Sequence, residues 1–294
     1  MDKSLAFRDN QFLPKADIRI GLDDLGFERG FGVFDYCRVR NGRITFLKDH
    51  LERLNHSQEV LQFNNPVKME KIRSIVLELQ EKNGFQDAYF KILITARFVN
   101  QILEPIITIY QDSWKPYPET MYSNGVSLIF EEYNKPFPQY KTTFYLGSFR
   151  AQTRMKNNNS EDVLFYFNDE VRECARCNIF MVKNGLIYTP DKNMLWGVTR
   201  KHVISCAKET TMVIEKDISV SELFSADEIF ITSTTRNVMP IIQIEDKIIC
   251  VVEPFMGSNF RIAICDLKTK NVRLTKTHYK TIPSVEGAFA NFIE

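Results

Sequence analysis

The chain has 294 residues, 44% of them hydrophobic and 26% charged, the balance of a folded protein large enough for two domains with proper cores. A formal net charge of +1 removes the electrostatic case for nucleic acid or an anionic membrane as partner. No apolar run approaches membrane-spanning length, and the first twenty residues lack the apolar core and cleavage site of a secretory signal, so a cytoplasmic protein is expected.

The chain opens with short strands and turns up to a glycine-rich stretch, where Gly26, Gly30 and Gly32 imply kinked or closely approached backbone. A strand over 33–39 follows, ended by a hairpin turn at Asn41-Gly42, and its period of two puts Phe34, Tyr36 and Arg38 on one face. Next comes a helix over 48–61 with Leu51, Leu54 and Leu61 on its apolar side and Arg53 among its polar residues. A second helix over 67–82 repeats Met69, Ile72, Ile75, Val76 and Leu79 at helical spacing, a core pattern. Residues 87–98 read as a continuous buried strand and 105–110 as another. The Pro-rich run at 113–120 is a stiff linker, which divides the chain into a small domain over 1–115 and a larger one over 116–294.

The second part begins with a strand over 126–132 and a second Pro-rich patch leading to Lys141, which lies beside Phe144 and Tyr145. A free lysine is protonated near neutrality, and burial beside aromatic rings would make it a nucleophile. Residues 163–190 form strands around Asn168-Asp169 and Asn184-Gly185 turns, with Glu173 set in an apolar run. A buried carboxylate is costly unless something cationic faces it. Gly197-Val198-Thr199-Arg200 then opens a helix, and a strand ends at Thr232-Ser233-Thr234-Thr235, both turns of the kind that cradle phosphate. One lysine, one glutamate and two such turns together point to pyridoxal phosphate. Cys174 and Cys177 form a single C-x-x-C with no second pair and no histidine nearby, so no metal is expected; the other cysteines read as small buried apolar residues.

The order of Lys141, the run Val171-x-Glu173-Cys174 leading to Asn178-Ile179-Phe180, then Gly185 to Pro190, Gly197 to Arg200 and Ile231 to Thr235 resembles the class IV, or fold type IV, pyridoxal-phosphate enzymes. That group holds branched-chain aminotransferases, D-amino acid aminotransferases and aminodeoxychorismate lyases. The resemblance covers residues 17–247 and implies an α+β fold: a small N-terminal domain of sheet plus helices, a larger barrel-like β domain with helices, and the cofactor between them. It implies Lys141 as the Schiff-base lysine and Glu173 as partner of the ring nitrogen. By the same likeness Arg53, Val198, Thr199, Ser233 and Thr234 anchor the phosphate, Leu195 packs on the ring and Tyr145 meets its phenolate oxygen. Phe34, Tyr36, Arg38, Arg97 and Arg236 are the implied substrate contacts, Arg236 being equally readable as a surface arginine. Tyr36 is bulky where a branched-chain enzyme carries a small residue.

The implied activity is amino-group transfer between an amino acid and a 2-oxo acid, by a homodimer. Aminodeoxychorismate lyase activity and a divergent, non-catalytic pyridoxal-phosphate-binding protein are the alternatives. The tail over 249–294 alternates like strands, carries a basic run and departs from the family pattern.

Overall fold

The computed structural model describes residues 4–249 and the backbone of three short strands beyond them. The chain forms two compact units, Met1–Pro116 with Phe137–Tyr145, and Tyr117–Pro136 with Leu146–Glu294. Among the described residues no helix is long and apolar enough to cross a membrane.

The first unit contains β1 (Leu5–Arg8), β2 (Gln11–Pro14), α1 (Leu25–Arg29), β3 (Gly32–Arg40), β4 (Arg43–Ile44), α2 (Leu47–Gln58), α3 (Met69–Asn83), β5 (Ala88–Val99) and β6 (Ile102–Ser113). Its antiparallel sheet runs β2-β1-β6-β5-β3-β4. Two consecutive left-handed residues, Asn41 and Gly42, make the tight β3–β4 turn whose twist suits a hairpin. Leu51 and Leu54 of α2 and Ile72, Val76 and Leu79 of α3 share a core with Val33, Cys37 and Val39 of β3 and Phe90, Ile92 and Ile94 of β5. The strand expected to be buried throughout is in fact two-sided at its start: Phe90 and Ile92 are buried, whereas Tyr89, Lys91 and Leu93 are only half-buried. An antiparallel sheet with helices on one face produces that alternation.

Residues 137–145 pack with this first unit, although the sequence reading counts everything after 115 to the second. Lys141 donates its backbone N–H to Ser57 Oγ at 3.0 Å, its carbonyl accepts from Phe34 N–H at 2.9 Å, and Thr143 N–H donates to the Gly32 carbonyl at 2.8 Å. The segment lies antiparallel beside β3, with Val33 opposite Thr142.

The second unit contains α4 (Glu119–Ser123), β7 (Val126–Glu132), α5 (Leu146–Arg150), α6 (Gln152–Asn157), β8 (Asp162–Phe167), β9 (Glu170–Cys174), β10 (Asn178–Lys183) and β11 (Leu186–Thr189). It continues with α7 (Val198–Ala207), β12 (Val213–Glu215), α8 (Val220–Leu223), β13 (Glu228–Ser233), β14 (Asn237–Ile244) and β15 (Lys247–Ile248). The mixed sheet runs β12-β11-β10-β13-β14-β7-β8-β9, with β15 added on β14. Leu128, Leu164, Ile179, Met181, Ile229, Ile231, Met239 and Ile241 fill its core. The expected turns are present, with positive φ at Asn168, Asp169, Asn184 and Gly185. Beyond it, β16 (Val251–Val252), β17 (Ile262–Asp266) and β18 (Asn271–Leu274) pair antiparallel as a small sheet, β18 falling within the basic run; the rest of the tail lies outside the described residues.

Candidate cofactor and active site

In the first unit, β3 has two chemically different faces. Asp35, Cys37 and Val39 point to the core, while Phe34, Tyr36 and Arg38 share the other face, as their spacing predicts. Asp35 is fully buried and accepts two hydrogen bonds from Arg53, from Nε at 2.9 Å and from Nη2 at 2.7 Å; His50 Nδ1 is 2.8 Å from the same carboxylate. His50 and Arg53 are three residues apart on α2, one turn, so both reach one carboxylate. Burial alone would push the Asp35 carboxyl up, but Arg53 and His50 outweigh it and hold it far below the usual range. Arg53 is thereby fixed in one orientation. Its Nη1 makes no hydrogen bond among the described residues, so one donor edge stays available for an anion.

Lys141 Nζ lies 4.7 Å from the centre of the Phe34 ring, and Tyr145 packs against the same ring at 5.6 Å between centroids. Among the described residues the Lys141 amine makes no hydrogen bond and no ion pair. Lys91, opposite Tyr36 in the β3–β5 register, places its own Nζ 5.3 Å from the Phe34 ring centre. Burial pushes the Lys91 ammonium down, and the charge of Lys141 pushes it further. Lys91 was hidden from sequence reading by the assumption of a wholly buried strand; reading 87–98 at period two exposes it. Tyr36 stacks on Tyr89 at 4.4 Å, and the Arg38 guanidinium lies 3.6 Å from the Trp114 ring centre.

The second unit assembles the other predicted residues. Glu173, near the end of β9, is 5% exposed; Oε2 accepts from the Leu195 N–H at 3.1 Å and Oε1 accepts from Lys135 Nζ at 2.8 Å. The cation that a buried glutamate requires is therefore Lys135, from the Pro-rich patch. Leu195 itself is buried. Val198 and Thr199 begin α7, and no side chain caps their N–H groups. Ser233 ends β13, its Oγ accepting the Arg236 N–H at 3.1 Å, and Thr234 follows it in the turn before β14.

Asn178 joins these pieces and is absent from the predicted set. It sits opposite Thr232 in the β10–β13 register and donates from Nδ2 to the Leu195 carbonyl at 2.7 Å, which ties the loop before α7 to the strand ending at Ser233. Its Oδ1 lies 2.1 Å from where a Cβ on Gly197 would stand. Gly197→Ala is expected to push Asn178 off Leu195, lowering pyridoxal-phosphate affinity by about tenfold and stability by about 1–3 kcal/mol, read by cofactor titration and urea unfolding.

Two arginines are placed elsewhere. Arg97 lies on β5 beyond the end of β3, four residues along from Leu93, the partner of Phe34, and pairs with Asp9 at 3.2 Å. Arg236 is 0% exposed, so it is not a surface arginine: it bonds Glu161 Oε1 from Nη2 at 2.5 Å and lies 3.4 Å from Asp162 and 3.3 Å from Cys177 Sγ. Burial would lower the Arg236 pKa, but Asp162 and Glu161 hold it up. Its charge is matched internally, which leaves it no free face for a substrate carboxylate. Burial also pushes the Cys177 thiol up to about 11 and the Cys174 thiol well above its ordinary range, so neither is poised as a thiolate.

The donor set fits pyridoxal phosphate. The first unit offers a lysine amine without a hydrogen-bonded or ionic partner among the described residues and an arginine with one spare edge; the second offers a buried carboxylate, an uncapped helix start and a glycine packed close against Asn178; an aldehyde, a ring nitrogen and a phosphate call for groups of these kinds. The family model described as amino-transferase class IV matches residues 32–244. A Methanocaldococcus jannaschii protein assigned as a branched-chain-amino-acid aminotransferase is 31% identical over 257 residues, 83% of this chain and 88% of that one. The D-alanine aminotransferase of Listeria monocytogenes strain 10403S is 24% identical over 249 residues, 81% of this chain and 86% of its own. Among solved structures, the branched-chain aminotransferase of Thermoproteus uzoniensis with norvaline matches at 25% identity with a TM-score of 0.76, over 83% of this chain and 88% of that one. With the family model spanning most of the sequence, the chain belongs to the class IV aminotransferases, enzymes that work with pyridoxal phosphate.

Proposed function

We propose that this aminotransferase moves an amino group between an amino acid and a 2-oxo acid with Lys141 as its working amine and Glu173 as the carboxylate that meets the cofactor's ring nitrogen. The observation that carries the reading is the Lys141 amine: its backbone is held on both sides by Phe34 and Ser57, while Nζ has no hydrogen-bonded or ionic partner among the described residues. Pyridoxal phosphate, when bound, supplies an electron-accepting ring that stabilises negative charge at the substrate Cα. Lys141 Nζ would take the proton from that carbon and deliver it to the carbon that carried the cofactor's aldehyde, so that the amino group stays with the cofactor. Glu173, positioned by the Leu195 N–H, holds positive charge at the ring nitrogen. Arg53, oriented by Asp35, the first turn of α7, Ser233 and Thr234 hold the phosphate.

On the substrate side, Lys91 and Arg38 supply positive charge for a carboxylate, and the Tyr36–Tyr89 stack takes up room beside them. This favours a small side chain over a branched one. The same reading has the protein act as a homodimer in the cytoplasm. The test is a half-reaction: protein loaded with pyridoxal phosphate is mixed with single L- and D-amino acids and no acceptor. Conversion of the visible absorption band to that of pyridoxamine phosphate is expected, fastest with alanine. A band that no amino acid converts overturns the reading, and faster conversion by leucine or valine overturns the side-chain preference.

A further inference from the structure

Glu173 has two oxygens and both are engaged: Oε2 by the Leu195 N–H and Oε1 by Lys135. The Lys135 side chain is 16% exposed and that of Glu173 6%, so the pair is largely withdrawn from water. Leu195 is buried and holds Glu173 through its backbone, so that contact is a fixture of the fold. Lys135 instead reaches Glu173 with the end of a long flexible side chain, carried by the short run between β7 and the segment that holds Lys141. The oxygen available to a cationic N–H from the cofactor is therefore the one that Lys135 already occupies. Two cations at one buried oxygen repel each other, and the more mobile one is the one to leave.

We infer that Lys135 is a stand-in cation, which neutralises Glu173 in the cofactor-free protein and gives up Oε1 when the protonated ring nitrogen arrives. This rests on the role given to Glu173 above and adds to it a positioning residue that sets cofactor loading without touching substrate. Because the stand-in contact must break on loading, Lys135 stabilises the empty protein and weakens cofactor binding.

The test compares wild type with Lys135→Met and the milder Lys135→Gln, both free of cofactor and titrated with pyridoxal phosphate. A second titration uses 4-deoxypyridoxine 5′-phosphate, which has the ring nitrogen and phosphate and no aldehyde for Lys141. Lys135→Met is expected to melt at lower temperature when empty and to bind either ligand about tenfold more tightly, with Lys135→Gln between it and wild type. In a Glu173→Gln background, where there is no carboxylate to contest, the substitution at 135 leaves affinity unchanged. Equal affinities for wild type and Lys135→Met overturn the inference, since the contact then survives loading. Weaker binding by Lys135→Met overturns it as well, making Lys135 a direct ligand. Failure of wild type to bind the deoxy compound counts against the reading of Glu173 itself, a separate outcome.

Discussion

Lys141→Ala is expected to lose at least about a thousandfold in transamination rate while folding as wild type does. The two halves of that statement come from different atoms. Everything that locks this segment onto β3 is backbone: the Lys141 N–H on Ser57, the Lys141 carbonyl on Phe34 and the Thr143 N–H on Gly32 survive truncation of the side chain. The side chain contributes only its approach to the Phe34 ring, worth about 0.5–1 kcal/mol where water reaches it. Thermal unfolding of the cofactor-free variant should therefore lie within a few degrees of wild type, and pyridoxal phosphate should stay dialysable, with no covalent band. Lys91 is the nearest amine able to compensate, since it approaches the same ring. Any residual rate in Lys141→Ala should vanish in Lys141→Ala/Lys91→Met. A single variant with undiminished turnover would remove Lys141 from the chemistry.

The second large effect falls on stability. Asp35→Asn keeps the shape at the centre of the first unit but leaves the Arg53 guanidinium without a counter-charge, and breaking a buried pair in this way costs about 3–5 kcal/mol. The pH dependence follows from the direction of two shifts. Burial lowers the His50 pKa more than Asp35 raises it, so His50 contributes stability that is whole above its unfolded value of about 6.5 and declines as pH falls below it. The Asp35 carboxyl is also held low in the folded state. Its contribution is whole above about pH 4 and is lost as pH falls further. Urea unfolding of wild type should show both declines, whereas Asp35→Asn starts lower and lacks the more acidic one. A variant as stable as wild type at pH 7.5 would mean that Arg53 finds water or another anion when Asp35 is removed.

Much of this is visible in the residues themselves. Period two sorted Phe34, Tyr36 and Arg38 onto one face, and Asn41-Gly42, Asn168-Asp169 and Asn184-Gly185 marked turns because their backbones accept positive φ. The apolar spacing of α2 and α3 located the helices to within a few residues. What escaped is long-range. Arg236 is buried because Glu161 and Asp162 come to it from β8 and the residue before it, and nothing in the sequence around Arg236 announces those partners. In the sequence Lys135 is only the first residue of a Pro-rich patch, since its partner Glu173 lies far along the chain on β9. Asp35, flanked by aromatic residues, was read through its neighbours; only the fold reveals that His50 and Arg53 both converge on it.

The excursion of residues 137–145 also limits how such a chain can be rearranged. The chain passes from one unit to the other at 116–117, returns at 136–137 and leaves again at 145–146. A gene exchange that cuts once, in the linker, would separate the first unit from the segment that bridges to β3 at Thr142 and from the lysine it carries. Recombination that keeps this packing intact must therefore transfer two separate stretches together or replace the whole, and the amine is inherited with the backbone contacts to β3 and Ser57 that hold it.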